Sequence, residues 1–251
     1  MAGYVHLREK TATCPPPVTR ESIWEYASYV TAAASSTTPS NPGFAPLIAQ
    51  GEMTRQPLAK DVDVYFSADV ETDGPIPGPY SMLSFALVEA GTFDGKKYDR
   101  SPEIGDHFYA ELKPISDAFQ PEALVVNKLD RERLFREGRE PVEVMTAAAE
   151  WIQQRSRGGS PVLVAYPLVF DWTWLYWYFI RFCRSGSPFN HSRCYDIKTA
   201  LSVKGQRQVV TSGRNYLPTA LIPNISHTHN ALDDAREQAD IFANLFEWHG
   251  E

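Results

Sequence analysis

A run of strictly alternating side chains, DVDVYFSADVE at positions 61–71, constrains the fold more than any other part of the sequence. Apolar residues occupy the even-numbered positions from 62 to 70, and acidic or hydroxyl-bearing residues occupy the odd-numbered positions from 61 to 71. Because side chains of a β-strand alternate between its two faces, the run predicts a strand with one apolar and one polar face. Asp69 and Glu71 therefore lie on the same face, close to the carboxyl end of the strand.

The patterns that follow this strand predict an α/β domain with a mixed five-stranded sheet. Further strands are predicted at residues 82–89, 107–113, 161–166 and 194–197. Helical periodicity predicts helices at residues 130–136, 142–155, 172–183 and 230–248. Three strands in a meander, followed by alternating helices and strands, indicate three antiparallel strands and then two parallel ones, with helices on both faces.

Residues 1–60 differ in composition from the rest of the chain, and we interpret them as an N-terminal extension, partly disordered or loosely docked, of a domain spanning 61–251. The sequence CPPP at 14–17 and a stretch rich in Ser, Thr, Ala and Pro at 31–46 interrupt regular structure. A short amphipathic helix is expected at 21–30. The alternative interpretation is an arm that docks on a partner or on a second copy of the chain, which would form a homodimer.

Composition and hydropathy exclude several classes of protein. The chain is 43% hydrophobic and 22% charged, as in folded soluble proteins. Its three cysteines lack metal-ligand spacing, which favours a reducing compartment such as the cytoplasm. The one long apolar run, 162–183, contains Pro167 and Asp171. Because a carboxylate at the centre of a membrane span costs about 2.5–3.5 kcal/mol, we interpret this run as a buried strand and a core helix and expect no membrane attachment.

Four carboxylates fall where predicted strands end or helices begin: Asp69, Glu71, Asp171 and Asp234. Asp171 lies within the apolar run and needs a strong partner, because burial of an unpaired carboxylate is costly. Asp234 lies in the first turn of the last helix, and His229 stands at the entrance of that helix. Neighbouring carboxylates repel one another unless a cation relieves them, and Mg²⁺ prefers oxygen ligands. Taken singly, each acid also fits a solvated strand end or the first turn of a helix.

Three short motifs carry a family resemblance. They are DVETDG at 69–74, FD at 170–171 and HNALDDA at 229–235. The third is the most specific, because its histidine stands five residues before an aspartate and small or apolar residues fill the places around them. With these motifs, residues 61–248 resemble the DEDDh 3′–5′ exonucleases, the DnaQ-like branch of the ribonuclease H-like fold.

The resemblance implies a metal-dependent exonuclease that hydrolyses phosphodiester bonds at the 3′ end of single-stranded RNA or DNA and releases nucleoside 5′-monophosphates. It implies a two-metal site for Mg²⁺, for which Mn²⁺ would substitute. The metal-binding carboxylates would be Asp69, Glu71, Asp171 and Asp234. His229 would be the general base that takes a proton from the attacking water.

The resemblance also implies contacts with the substrate. Thr72 follows the glutamate of the first motif and would lie against the terminal nucleotide. Gly74 opens a Pro-rich loop, residues 74–80, which is longer than in many relatives and would shape the entry of the 3′ end. A second departure is Pro167, which stands four residues before Asp171, where many relatives carry asparagine.

The distribution of charge bears on nucleic-acid binding. A net charge of −7 argues against a protein that coats a polyanion through bulk charge. Residues 181–214, however, contain seven basic residues and one acidic residue, so this segment either contacts phosphates or forms a solvated basic loop. Two further functions stay open: a non-catalytic nucleic-acid-binding module on the same fold, and a hydrolase whose transition metal is bound by His227 and His229.

Overall fold

A computed structural model describes residues 56–101 and 106–250 of the chain. The helix predicted at 21–30 and the docking arm lie outside these residues, and the division of the chain at residue 60 stays a prediction. From Leu58 onwards the described chain contacts the domain. The Leu58 amide donates to the Arg157 carbonyl at 2.9 Å, and the Ser160 hydroxyl donates to the Lys60 carbonyl at 2.7 Å.

A single mixed sheet is built from the strands of the described residues. The strands are β1 Asp63–Thr72, β2 Met82–Phe93, β3 Tyr98–Arg100, β4 His107–Glu111, β5 Ser160–Ala165 and β6 Cys194–Asp196. Their order is β3-β2-β1-β5-β6, and β4 also pairs with β2. The β1–β2 and β2–β4 pairs are antiparallel, whereas β1–β5 and β5–β6 are parallel. The predicted mixed sheet with helices is thereby confirmed.

The sheet has one strand more than the five predicted. The long strand β2 continues to Phe93, and the chain folds back through a turn in which the amides of Lys96 and Lys97 donate to the Asp94 carboxylate at 2.9 and 2.7 Å. The returning strand β3 has only three residues. A strand of this length is too short to display alternation, so the sequence indicates the turn but not the strand.

Helices cover the sheet and fill the connections between strands. They are α1 Pro121–Asn127, α2 Arg131–Glu137, α3 Pro141–Ser156, α4 Leu168–Phe182, α5 Ile197–Lys204 and α6 Ala231–Glu247. Helix α4 begins four residues earlier than predicted, directly after Pro167, so Asp171 lies in its first turn. Helices α1 and α5 were not predicted. Helix α5 follows β6 without a loop because the Asp196 carboxylate caps it, accepting from the Thr199 amide at 2.9 Å.

The alternation of β1 divides the interior into two cores. Val64, Phe66 and Ala68 face α3 and α4, together with the buried rings of that helix pair. The opposite face is also buried, because α5 and α6 cover it. There the Tyr65 ring packs against Phe242 of α6, with ring centroids 4.8 Å apart. The strand that carries Asp69 and Glu71 is therefore fixed from both sides.

A lysine closes the far end of α6. The Lys204 ammonium donates to the carbonyls of Leu245, Phe246 and Trp248 at 2.7, 2.9 and 2.9 Å. The last carbonyls of a helix have no partner within the helix, and a positive charge there also opposes the negative end of the helix dipole. This contact fixes the helix whose opposite end carries Asp234.

The apolar run 162–183 lies inside the domain. It forms most of β5 and α4, and Trp174, Tyr178 and Phe179 are fully buried in the core. Among the helices of residues 56–101 and 106–250, none has the length and apolar character needed to cross a bilayer.

Replacement of Tyr178 by phenylalanine tests the contact between α4 and the start of β2. The Met82 amide donates to the Tyr178 hydroxyl at 2.7 Å, and both residues are fully buried. The variant leaves this amide without a partner, so we expect the free energy of unfolding, measured by urea denaturation, to fall by about 1–3 kcal/mol.

Tyr176→Phe is the matched control. Tyr176 is only half-buried, and its ring stacks on Trp172 with centroids 4.9 Å apart. Its variant should lose less than about 0.5 kcal/mol. Equal losses in the two variants would contradict the role assigned to the Tyr178 hydroxyl.

Candidate active site

Carboxylates from two elements converge at the carboxyl end of β1. Oxygens of Asp69, Glu71 and Asp234 all lie within 4.8 Å of one another. Asp69 and Glu71 share a face of β1 because they are two positions apart, and Asp234 comes from the first turn of α6. The pleat of one strand and the start of one helix are therefore enough to bring these three acids together.

Asp171 reaches the same place from α4. Its Oδ1 accepts a hydrogen bond at 3.1 Å from the amide of Val70, the residue between Asp69 and Glu71. Its side chain is 5% exposed. The structure thus brings together all four carboxylates that the sequence singles out.

Burial keeps Asp69, Glu71 and Asp171 from ionising easily. Burial raises the pKa of Asp69 well above its ordinary range, and the charges of Asp171, Glu71 and Asp234 raise it further. Burial, followed by the charges of Asp234 and Asp171, raises the pKa of Glu71 to about 8. Burial also raises the pKa of Asp171, while the Arg214 guanidinium opposes the increase. Hard oxygen donors that converge and repel one another fit a divalent cation such as Mg²⁺.

The loop before α6 is held by Asp234. This carboxylate, 1% exposed, accepts from the amides of Thr228 at 2.7 Å and His229 at 2.9 Å. His229 itself has a left-handed backbone conformation with φ of 60°. Asn230 then begins the helix, since its side chain accepts from the Leu232 amide at 3.1 Å. The exposed His229 side chain is thereby held at the edge of the carboxylate cluster.

An open cleft of about 460 Å³ leads to the carboxylates. His229 and three of the four acids lie in its wall, whereas Asp171 is buried behind them. The remaining lining residues come from β1 and the loop after it, α1, α4 and the loop before α6. They are Val70, Thr72, Gly74, Pro75, Gln120, Glu122, Ala123, Val126, Asn127, Phe170 and His227.

The two residues expected to contact substrate, Thr72 and Gly74, both line this cleft. The Thr72 hydroxyl donates to the Gly74 carbonyl at 2.8 Å, and the Asn127 side chain donates to the Thr72 carbonyl at 3.0 Å. A β-carbon on Gly74 would lie 2.2 Å from the ring of Tyr80, so only glycine allows this close approach. Their contact with a nucleotide stays a prediction.

A buried ion pair that the sequence does not reveal fixes the loop after β1. The Arg131 guanidinium donates from Nε to Asp73 Oδ2 at 2.8 Å, and both side chains are buried. Arg131 also lies between the rings of Phe119 and Phe135, 4.9 and 4.7 Å from their centroids. The partners are 58 positions apart, and nothing local in the sequence pairs them.

Two further residues contact the carboxylates. The Gln238 amide donates to Asp69 Oδ1 at 2.8 Å, and Gln238 is four residues, about one helical turn, beyond Asp234. That spacing is the sequence signal that could have placed Gln238 on the same helix face as Asp234. His227 Nδ1 lies 2.9 Å from Asp234 Oδ2 and 3.4 Å from Glu237 Oε2.

Much of the basic segment 181–214 is engaged within the protein. Besides Lys204, Arg193 donates to the Ser160 hydroxyl at 2.9 Å and Arg207 donates to a backbone carbonyl. Arg214 pairs with Glu237 at 2.9 Å and lowers the pKa of Asp69 by its charge. Within this segment, Arg181, Arg184 and Arg193 are exposed.

A mixed sheet with carboxylates converging at the end of its central strand, beside an exposed histidine, is the architecture of the ribonuclease H-like exonuclease fold. A family model for exonucleases (RNase T) matches residues 67–242. The chain therefore belongs to this exonuclease family, and it is a hydrolase of the 3′–5′ exonuclease class.

One relative agrees with this assignment, and two solved structures share the fold. The 3′-5′ DNA exonuclease Cap18 of Escherichia coli is 33% identical over 186 residues, which cover 74% of this chain and 92% of the relative. The nuclease domain of 3′hExo, a DEDDh family member bound to rAMP, has a TM-score of 0.52 at 10% identity, covering 75% of this chain and 92% of that one. E. coli Exonuclease I in complex with a dT13 oligonucleotide has a TM-score of 0.50 at 14% identity, and the match covers 76% of this chain but only 42% of Exonuclease I.

Substitution of Arg131 by alanine tests the buried ion pair. The change leaves the Asp73 carboxylate buried without its partner, so we expect the free energy of unfolding to fall by about 3–5 kcal/mol in urea denaturation. Arg133→Ala is the matched control, because Arg133 pairs with Glu111 at 2.7 Å on the protein surface. The control should lose no more than about 1 kcal/mol, and a similar loss in both variants would contradict the prediction.

The raised carboxyl pKa values predict that the metal-free protein becomes less stable as pH rises. Glu71 has an ordinary pKa of 4.5 and a folded-state pKa of about 8. Its contribution to stability is therefore fully present below 4.5 and is lost as pH rises through about 8. Asp69 and Asp171 shift in the same direction. In EDTA, the thermal midpoint should fall between about pH 6 and about pH 9.

Glu71→Gln is the control for this pH dependence, because glutamine does not titrate and has nearly the same size. Its midpoint should fall less over the same interval. An identical fall in the variant and the natural protein would show that Glu71 does not contribute.

Proposed function

We propose that the protein removes nucleoside 5′-monophosphates from the 3′ end of single-stranded DNA with the help of two divalent cations. The observation that carries this proposal is the convergence of four carboxylates beside His229 in an open cleft. DNA is proposed as the polymer because Cap18, of which the match covers 92%, is a DNA exonuclease.

Asp69, Glu71, Asp171 and Asp234 would hold the cations, for which Mg²⁺ is the expected metal and Mn²⁺ a substitute. When bound, a pair of such ions activates water and stabilises the attacking and leaving oxygens of an in-line displacement. The protein contributes the rigid placement of the four carboxylates. Three are anchored by N–H donors: Asp171 by Val70, Asp69 by Gln238, and Asp234 by the amides of the loop before α6.

His229 is the proposed general base. Its side chain is exposed in the wall of the cleft, and its backbone amide is fixed to Asp234 at 2.9 Å. An imidazole in this position can take a proton from a water molecule near the carboxylates and later release it to solvent. General bases of this kind contribute roughly 10²–10⁴-fold to a rate.

We infer that an unpaired terminal nucleotide enters the cleft. Val126 of α1 and Phe170 of α4 line it and are 48% and 40% exposed. The aromatic ring of Phe170 can stack on a base that has left its helix, and Val126 can contact that base through apolar surface. Thr72 and Gly74 would contact the same nucleotide from β1 and the loop after it. This arrangement favours single-stranded ends.

The alternative of a non-catalytic nucleic-acid-binding module has less support. Such a module would have no need to keep every acid and the histidine, whereas here all five residues are present and lie at one site.

For the compartment, we infer the cytoplasm, since Cys183 and Cys194 are both free thiols.

The deciding experiment follows 5′-labelled single-stranded DNA and RNA of equal sequence on a denaturing gel, with Mg²⁺, Mn²⁺ or EDTA. We expect a ladder that shortens from the 3′ end, faster on DNA, and only with metal. Asp69→Asn should slow the reaction about 1,000-fold or more, because metal ions contribute several kcal/mol to such reactions. His229→Ala should slow it by roughly 10²–10⁴-fold.

His191→Asn is the control variant. His191 is exposed and precedes β6, at the amino ends of the parallel strands, whereas the carboxylates lie at the carboxyl end of β1. It should keep full activity. Metal binding by a folded protein that shortens neither polymer would overturn the proposed function and favour the binding module.

A further inference from the structure

A second group of metal-ligating side chains lies beside the carboxylates. Ligand atoms of His227, His229 and Asp234 all lie within 4.8 Å of one another. The two imidazole rings meet edge to face, with centroids 4.5 Å apart. Only Asp234 belongs to both this group and the oxygen cluster with Asp69 and Glu71.

The donor atoms of this second group differ in kind from those of the first. Two imidazole nitrogens and one carboxylate oxygen are a typical ligand set for Zn²⁺, with an open position for water. Mg²⁺ instead prefers oxygen ligands in octahedral geometry. The two groups therefore select different metals, because imidazole suits Zn²⁺, Cu²⁺ and Ni²⁺.

We propose that His227, His229 and Asp234 form a separate site for a borderline transition-metal ion, with Zn²⁺ as the best-fitting cation. Its ligands are the two imidazoles of the His-x-His pair and the Asp234 carboxylate. It adjoins the oxygen site but does not coincide with it.

The surroundings of His227 favour such a site. Its Nδ1 is already 2.9 Å from Asp234 Oδ2, so a bound cation would take the place of this hydrogen bond. Glu237 Oε2 lies 3.4 Å from the same nitrogen and is itself held by Arg214 at 2.9 Å. Carboxylates next to a ligating histidine orient the ring and strengthen the site. The His227 side chain is 32% exposed, which gives an ion access from solvent.

Occupation of this site would have a consequence for catalysis that rests on the proposed function. A cation bound to the His229 imidazole engages the group proposed as general base. It also draws on Asp234, which the oxygen site needs. Zn²⁺ would then act as an inhibitor of the Mg²⁺-supported reaction rather than as a cofactor.

The test measures Zn²⁺ binding directly, by calorimetry on the full chain in excess Mg²⁺ and without nucleic acid. We expect one Zn²⁺ ion that Mg²⁺ does not displace. His227→Asn keeps a polar side chain but removes the imidazole, and its affinity for Zn²⁺ should fall by about 10-fold or more. His191→Asn, the same substitution at a distant exposed histidine, should bind Zn²⁺ like the natural protein.

A spectroscopic measurement on the natural protein covers the case in which His227→Asn does not fold. Nitrogen chemical shifts of the His227 and His229 rings should both change on addition of one equivalent of Zn²⁺ in excess Mg²⁺. Unchanged shifts, or equal Zn²⁺ affinity in the natural protein and a folded His227→Asn variant, would overturn the proposal. Neither measurement needs catalysis, so failure of the site and failure of the proposed exonuclease function are distinguishable.

Discussion

Repulsion among carboxylates gathered at the end of one buried strand is the constraint on which the rest of the structure depends. Burial raises the pKa values of Asp69, Glu71 and Asp171, and the charges of neighbouring carboxylates raise those of Asp69 and Glu71 further, so the arrangement is unfavourable in itself. The surrounding protein holds it by donating N–H groups to the acids, from the Val70 amide to Asp171 and from the Gln238 side chain to Asp69. Hydrogen bonds of this kind favour the ionised form and partly offset the cost of burial.

The two-sided packing of the sheet supplies the remaining rigidity. Helices α4 and α6 lie on opposite faces, and each brings an aspartate in its first turn to the end of β1. The positive end of a helix dipole stabilises a carboxylate in this position. At the opposite end of α6, Lys204 satisfies three terminal carbonyls. The site therefore depends on contacts through the whole depth of the domain.

Local patterns predict the parts of this structure that depend on neighbours in sequence. Alternation in β1 indicates the core on its apolar face and the shared face of Asp69 and Glu71, and the motif around Asn230 indicates the start of α6 and the position of Asp234. The same alternation predicts that the opposite face of β1 is polar, whereas α5 and α6 bury it. Helix α1 cannot be predicted from such patterns. Its Val125 and Val126 point out of the core, towards solvent or the cleft, so the sequence of this helix lacks the apolar stripe of a buried face.

Contacts between distant residues cannot be predicted in this way. The Asp73–Arg131 pair spans 58 positions, and the Gln238–Asp69 hydrogen bond spans 169. In the sequence, Arg131 and Gln238 look like ordinary surface residues, because only the fold brings each of them to its partner. The spacing of Gln238 from Asp234 places it on the right helix face, but only the packing of α6 against β1 shows that its amide reaches a carboxylate.

The engagement of basic side chains within the protein has a consequence for how a polymer is held. Lys204 and Arg214 direct their N–H groups to the protein's own carbonyl and carboxylate groups, whereas Arg193, which is exposed, gives one hydrogen bond to a hydroxyl. Engaged cations of this kind would release few counterions from a nucleic acid, so a strand would gain little affinity from them. Under the proposed function, affinity of this segment for the length of a strand would depend on its exposed arginines, Arg181, Arg184 and Arg193.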